Sequence, residues 1–211
     1  VTVSALGDLV PRIDPTAWVH PDATIVGDVE IGPHSSIWPG AVLRGDFGAI
    51  RVGARTSIQD NAVLHAAPWA PTVVGDECII AHLAFIETAV VGNRCMVAVG
   101  AQMLPGSSLQ DGAIAAAGAV LANELEVPSG YRAQGVPATI VRSDKPDPSY
   151  IVEGAAEYAA IAERYVAAGI GSTGAQLTAA LAAAAPLPVP GSTSTARPSS
   201  PPALDPAAGE K

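Results

Sequence analysis

An aliphatic residue returns at every sixth position along most of this chain, and that beat restricts the fold more than any other feature. It runs through Ile13, Val19, Ile25, Ile31, Ile37 and Leu43, resumes at Val52, Ile58 and Leu64, and again at Val74, Ile80 and Ile86. It continues at Val91, Val97, Met103, Leu109, Ala115, Leu121 and Val127. A small residue often follows four positions later, as at Ala17, Ala23, Val29, Ser35 and Ala41. Helices repeat near 3.6 residues and isolated strands alternate by two, so a sustained period of six specifies a mainly β fold, the hexapeptide β-helix. Each hexapeptide supplies a short strand and a turn, and three of them close a triangular coil of about 18 residues.

Composition agrees with this reading. The chain is 49% hydrophobic but only 4% aromatic and 15% charged, so its core is built from Val, Ile, Leu and Ala. Its 21 Gly and 19 Pro imply frequent turns and argue against a helix bundle. Eleven Lys and Arg against 20 Asp and Glu give a net charge of −9, the wrong sign for a nucleic-acid partner. The two cysteines, Cys78 and Cys95, rule out a disulfide framework or a cysteine zinc ribbon and stand where small buried packing residues belong. The sequence has no apolar run of about 18 residues, so no membrane partner is expected. The first residues carry neither a basic nor an apolar leader segment, so the expected location is cytoplasmic.

The expected organisation is an N-terminal segment over 1–12, the β-helix over 13–130, a connector and C-terminal helix over 131–170, and an Ala/Pro/Ser-rich, largely disordered tail over 171–211. The helix is read over 148–168, where Ile151, Tyr158, Ile161, Tyr165 and Val166 recur at helical spacing. A second, weaker helix is read near 179–185. From 186 onward, Pro, Ser, Thr and Ala dominate and bury too little apolar surface to offset chain entropy.

The beat is lengthened twice, by three extra residues around Asp46-Phe47-Gly48 and by four in the loop over 66–72. Insertions leaving a rigid scaffold are where function tends to sit. Leu43, Leu64 and Ile86 are three hexapeptides apart and stack on successive coils, about 4.8 Å from one another. The residues after them, Arg44, His65 and Glu87, form one external column. Asp60 and His82 follow a different stack, Ile58 and Ile80, on another face. A single chain therefore does not readily bring His82 to His65, whereas a face-to-face contact closing as a cyclic homotrimer does. His20 and His34 lack partners at ligand spacing and are read as surface residues. Trp38 and Trp69 flank the column in sequence, and Trp69 either shapes a pocket or covers a coil edge.

These residues carry a resemblance. The stretches GDVEIGPHSSIWPGAVLRGD (27–46), IQDNAVLH (58–65), AHLAFIE (81–87) and GVPATIVR (135–142) resemble the γ-class carbonic anhydrase family, a left-handed parallel β-helix with a C-terminal helix. RGDFG, QDNAVLH, TVVG and the Glu153–Tyr158 stretch look most like the branch found in phenylacetate-degradation and carnitine operons. The resemblance covers roughly 10–165 and implies a small-molecule substrate, CO2/bicarbonate or an acyl-CoA thioester. It also implies zinc, or iron or cobalt in its place, held by three histidines shared between two subunits. The first two map to His65 and His82. The third maps to Glu87, where Glu87-Thr88-Ala89 replaces the usual His-Gly-Cys. A His2Glu set with an open water position is an accepted catalytic zinc site and can supply hydroxide to a carbonyl carbon. In that reading Gln59 and Glu87 are catalytic, Gln59 orienting the water. Arg44 and Asp46 make interface contacts, and Asp60 pairs with a basic group. Arg44, Asp46 and Asp60 equally fit an interface hydrogen-bond network and nothing more.

Two other functions stay open from the sequence. A CoA-dependent acyltransferase is the other common occupation of hexapeptide β-helices, but it wants a catalytic histidine on a protruding loop, and neither insertion contains one. A metal-poor assembly or binding protein is favoured by the altered third ligand. Removing residues 186–211 is expected to leave the melting temperature and subunit association unchanged, as thermal unfolding and light scattering of the truncated chain would register.

Overall fold

The computed structural model describes residues 2–183, so the tail expected from 186 onward lies outside the described residues. Short parallel strands stack into a parallel β-helix of about seven turns. Its three faces are three columns of inward aliphatic residues. One column runs Leu43, Leu64, Ile86, Met103 and Leu121, register-paired coil to coil. A second runs Val52, Val74, Val91, Leu109 and Val127. The third runs Val19, Ile37, Ile58, Ile80, Val97, Ala115 and Ala133. Leu43, Leu64, Ile80 and Ile86 are all wholly buried, so the period of six in the sequence is the period of the core.

The two interruptions take different forms. The extra residues around Asp46 are not a loop: they lie inside an eleven-residue strand, Val42–Val52, that runs across a corner and joins two faces. Its partner Thr24–Ile31 pairs Gly27 with Gly45 and then Val29 with Ile50, so the insertion is a bulge between two in-register stretches. Pairing on both sides keeps the backbone extended. Glycine is required there, because a Cβ on Gly45 would stand 2.6 Å from the Asp28 carbonyl oxygen. The second interruption is a loop over 66–71, and Thr72 already belongs to the next strand.

Small polar residues line one internal corner. The Ser35 and Thr56 hydroxyls each donate to a carbonyl of the next coil, Gly53 and Gly75, at 2.7 Å. The Cys78 and Cys95 thiols continue the ladder to the Gly92 and Gln110 carbonyls. Both cysteines are wholly buried. Contact with the Cys95 sulfur and burial push the Cys78 thiol well above its ordinary value, which leaves it a packing residue.

A helix, α1 (Ser149–Ala167), covers the third face. It buries Ile151, Ala155 and Ala162 and sets Tyr158 and Tyr165 against Trp18 and Trp38. His20 is not a free surface residue, since its ring packs edge-on to Trp18 and Tyr165; His34 is exposed. Trp38 lies under this helix, its indole N–H donating to Ser36 and Ser57. Gly169 ends the helix at φ 71°.

The chain then returns to the first coil. Ser172–Thr173 pairs antiparallel with Trp18–Val19 and covers that sheet edge. Helix α2 (Gly174–Ala183) follows, and its Leu177 joins the main core. Thr173 and Gln176 make a capping box, with the Thr173 N–H donating to the Gln176 side chain at 2.8 Å. The second helix thus begins at Gly174, several residues before the alanine run that announces it, and the first residues of the Ala/Pro/Ser-rich segment are folded. No helix among the described residues is long and apolar enough to cross a membrane.

Truncating a stacked core residue leaves a void the neighbouring coils cannot close. Ile80→Ala is expected to destabilise the protein by about 2–5 kcal/mol. Val136→Ala, at a position 72% exposed, should leave the denaturation midpoint nearly unchanged.

Candidate functional site

The external column forms as its spacing requires. Arg44, His65 and Glu87 are paired in register on three successive coils. Stacking at the β-ladder spacing puts the His65 Nδ1 3.1 Å from Glu87 Oε1. The bulge turns Asp46 back over the same ring, 3.1 Å from His65 Nε2. Arg44 closes the other side of Asp46 at 2.6 Å. Partial burial works to raise the Asp46 carboxyl. Hydrogen bonds from Arg44 and His65, the Arg44 charge and the Phe47 N–H outweigh it and hold the carboxyl below its ordinary value. Phe47, 60% exposed, lies edge-on to His65 with ring centroids 6.0 Å apart.

The 66–71 loop is tied to this column by two buried hydroxyls that sequence reasoning did not single out. Thr72 donates to the His65 carbonyl and accepts the Thr88 N–H at 2.8 Å. Thr88 in turn accepts the Ala67 N–H at 2.8 Å. The one available signal was position: Thr88 follows Glu87 directly, and Thr72 begins the strand after the insertion. Trp69, in this loop, is 62% exposed.

A second group sits at the other end of the same face. Asp60 and His82 occupy stacked turns where the third face meets the first, and Asp60 Oδ2 is 2.9 Å from His82 Nδ1. Among the described residues, none of the hydrogen bonds and ion pairs of His82 uses its Nε2 edge. His82 stands in the turn before the strand Phe85–Glu87 and Glu87 at that strand's far end, so the two lie at opposite ends of one side of the coil. Gln59 is 3% exposed, next to Asp60. Among the described residues, no three His, Cys, Asp or Glu side chains of one chain converge as a metal ion needs. The sequence-derived residues therefore form two clusters, His65/Glu87/Asp46/Arg44 and His82/Asp60, at two corners of one prism face.

Comparison with known proteins places this geometry. Residues 11–45 match the family "Bacterial transferase hexapeptide (six repeats)". The chain is 35% identical to "Gamma carbonic anhydrase 1, mitochondrial" of Arabidopsis thaliana over 79% of this chain and 63% of that protein. It is 34% identical to "Carnitine operon protein CaiE" of Escherichia coli over 68% of this chain and 73% of that one. The crystal structure of a hexapeptide transferase family protein from Anaplasma phagocytophilum superposes with a TM-score of 0.74 at 34% identity, covering 78% of this chain and 98% of that chain. The chain belongs to the γ-class carbonic anhydrase family of hexapeptide-repeat β-helix proteins. It spans 63% and 53% of the length of two Arabidopsis relatives it matches.

The Arg44–Asp46 pair is partly exposed, with 46% and 23% of the side chains accessible, so solvent screens most of its Coulomb energy. Arg44→Ala is expected to change stability by less than about 1 kcal/mol, and the difference should shrink in high salt, as chemical denaturation at two ionic strengths would show.

Proposed function

We propose that the protein is a metal-dependent hydratase or hydrolase of the carbonic anhydrase type, acting on CO2 or an acyl thioester at a site completed between copies of the chain. The observation that carries this reading is that each histidine is held by a carboxylate, His82 on one ring nitrogen and His65 on both. His82 has Asp60 on Nδ1 and leaves Nε2 facing away. His65 has Asp46 on Nε2 and Glu87 on Nδ1. A carboxylate fixing one nitrogen while the other faces the ion is the usual support of a metal-binding imidazole. The 3.1 Å separation of His65 and Glu87 also fits two ligands of one ion. Metal–ligand distances of about 2.0–2.1 Å at a tetrahedral angle give roughly 3.3 Å between donors.

His65 and Glu87 of one copy, with His82 of a second, would hold the ion, zinc or iron or cobalt in its place. When bound in such a set, the ion lowers the pKa of a coordinated water and polarises a carbonyl oxygen. The remaining residues act around it. Asp46, held by Arg44, fixes the His65 ring, Asp60 fixes the His82 ring, and Gln59 orients water beside them. Because the two clusters lie at opposite ends of one face, a head-to-tail contact that closes on itself joins them three times in a homotrimer.

One observation favours a second reading. Glu87, His65, Asp46 and Arg44 already satisfy one another within a single chain, which suits a non-catalytic assembly or binding protein of the same family. A CoA-dependent acyltransferase is less well supported, because neither insertion brings a histidine of its own to the surface.

Replacing Glu87 separates the readings. Glu87→Ala should release the metal, whereas Glu87→His should retain it and raise CO2 hydration, since a neutral imidazole leaves more positive charge on the ion than a carboxylate does. Light scattering should give about three times 21.1 kDa. Unchanged metal content in Glu87→Ala defeats ligation. A wild type that takes up no zinc after supplementation turns the assignment to the non-catalytic protein.

A further inference from the structure

Thr88 is held in a backbone conformation its side chain disfavours. Among the described non-glycine residues with positive φ, it is the one with a branched Cβ, at φ 51°. It is also the buried one, 4% exposed, while the others are turn residues with accessible side chains. A Cβ-branched residue in the left-handed region meets the adjacent carbonyl and persists only where its surroundings hold it.

The surroundings here are specific. The Thr88 N–H is shared between the Thr72 hydroxyl at 2.8 Å and the His65 carbonyl at 3.3 Å. Its carbonyl accepts the Gly106 N–H at 2.8 Å. Its hydroxyl accepts the Ala67 N–H, which is buried and would otherwise be left without an acceptor. Ala67 in turn touches the bulge: a Cβ on Gly48 would lie 2.3 Å from the Ala67 carbonyl oxygen. The segments carrying Trp69 and Phe47 are therefore in contact, and both are referred to the backbone of His65 and Glu87 through one side chain.

We propose that Thr88, with Thr72, is a positioning residue: its hydroxyl fixes where the 66–71 segment, and with it Trp69, stands relative to His65 and Glu87, and so sets the wall a substrate meets. The inference rests on the reading of His65 and Glu87 as the site. The strained φ is what gives it reach. A relaxed backbone at Thr88 would rotate the hydroxyl away from Ala67, so the hydrogen bond and the conformation stand or fall together.

The test compares Thr88→Val, which keeps the branched shape and removes the hydroxyl, with Thr88→Ser, which keeps the hydroxyl. Thr88→Gly, which frees the backbone, serves in place of the valine variant should that one not fold. Amide hydrogen exchange on the full chain reads the Ala67 N–H directly. Exchange there should rise by roughly fivefold or more in Thr88→Val and Thr88→Gly, and stay within about twofold of wild type in Thr88→Ser. Acrylamide quenching should report Trp69 more accessible in the same two variants, since Trp18 and Trp38 are buried. Zinc ion added to the wild type should slow Ala67 exchange, and Thr88→Val should lose that response. Ala67 protection unchanged in Thr88→Val overturns the proposal, as does equal loss in Thr88→Ser. Zinc that binds the wild type without altering Ala67 exchange overturns the positioning role. Zinc that does not bind at all overturns the metal reading instead, and the exchange and quenching comparisons still decide the clasp.

Discussion

Parallel in-register stacking is the constraint from which the rest of this structure follows. Each coil takes its hydrogen-bond partners from the coils on either side, so equivalent residues stand one ladder spacing apart and cannot adjust independently. A column must then be chemically compatible along its length. The interior columns are aliphatic, one corner carries a buried run of hydroxyls and thiols, and Asp76, Asn93 and Asp111 link coil to coil on the exposed side of that same corner. Backbone and side-chain hydrogen bonds from Asn93 hold the Asp111 carboxyl below its ordinary value. The external column alternates in the same spirit, with the imidazole of His65 between the guanidinium of Arg44 and the carboxylate of Glu87. The contact between His65 and Glu87 is thus a property of the scaffold before it is a property of a site.

A regular prism offers little beyond columns, and the site depends on the two places where the hexapeptide is lengthened. The bulge brings Asp46 back over His65, although Asp46 stands only two residues from Arg44 in the chain. The 66–71 loop is pinned by Thr72 and Thr88 instead of projecting freely. Three carboxylates thus have a cationic or imidazole partner, Asp46 through the bulge and Asp60 and Glu87 through stacking.

The ends of the coil are settled by elements distant in sequence. An open end of a β-helix exposes unpaired backbone and an apolar core. Here Ser172–Thr173 pairs with the Trp18–Val19 edge, Trp18 donates to the Ile170 carbonyl at 3.0 Å, and Leu177 lies in the main core beside the first coil. The Thr173 to Gln176 capping signal was present in the sequence, but the Gly-rich stretch before it and the alanine run after it obscured it. His20 escaped for a related reason. One of its two ring contacts, Tyr165, comes from the helix that follows the coils, and no local pattern joins it to His20.

The sequence by itself determined the fold and the columns, because a period of six maps one residue onto one corner and ladder pairing turns that map into distance. From it the neighbours Arg44, His65 and Glu87, and the separation of His82 from His65, were already legible. Only the tertiary structure decided what the insertions do. Whether extra residues leave as a loop or stay as a bulge depends on pairing with Thr24–Ile31, on the close approach of Gly45 to Asp28, and on the contact of Gly48 with Ala67. The same holds for Thr72 and Thr88, whose partners are set by neighbouring coils, and for the folded segment after Gly171. These are contacts between residues without a shared period, and periodicity carries no information about them.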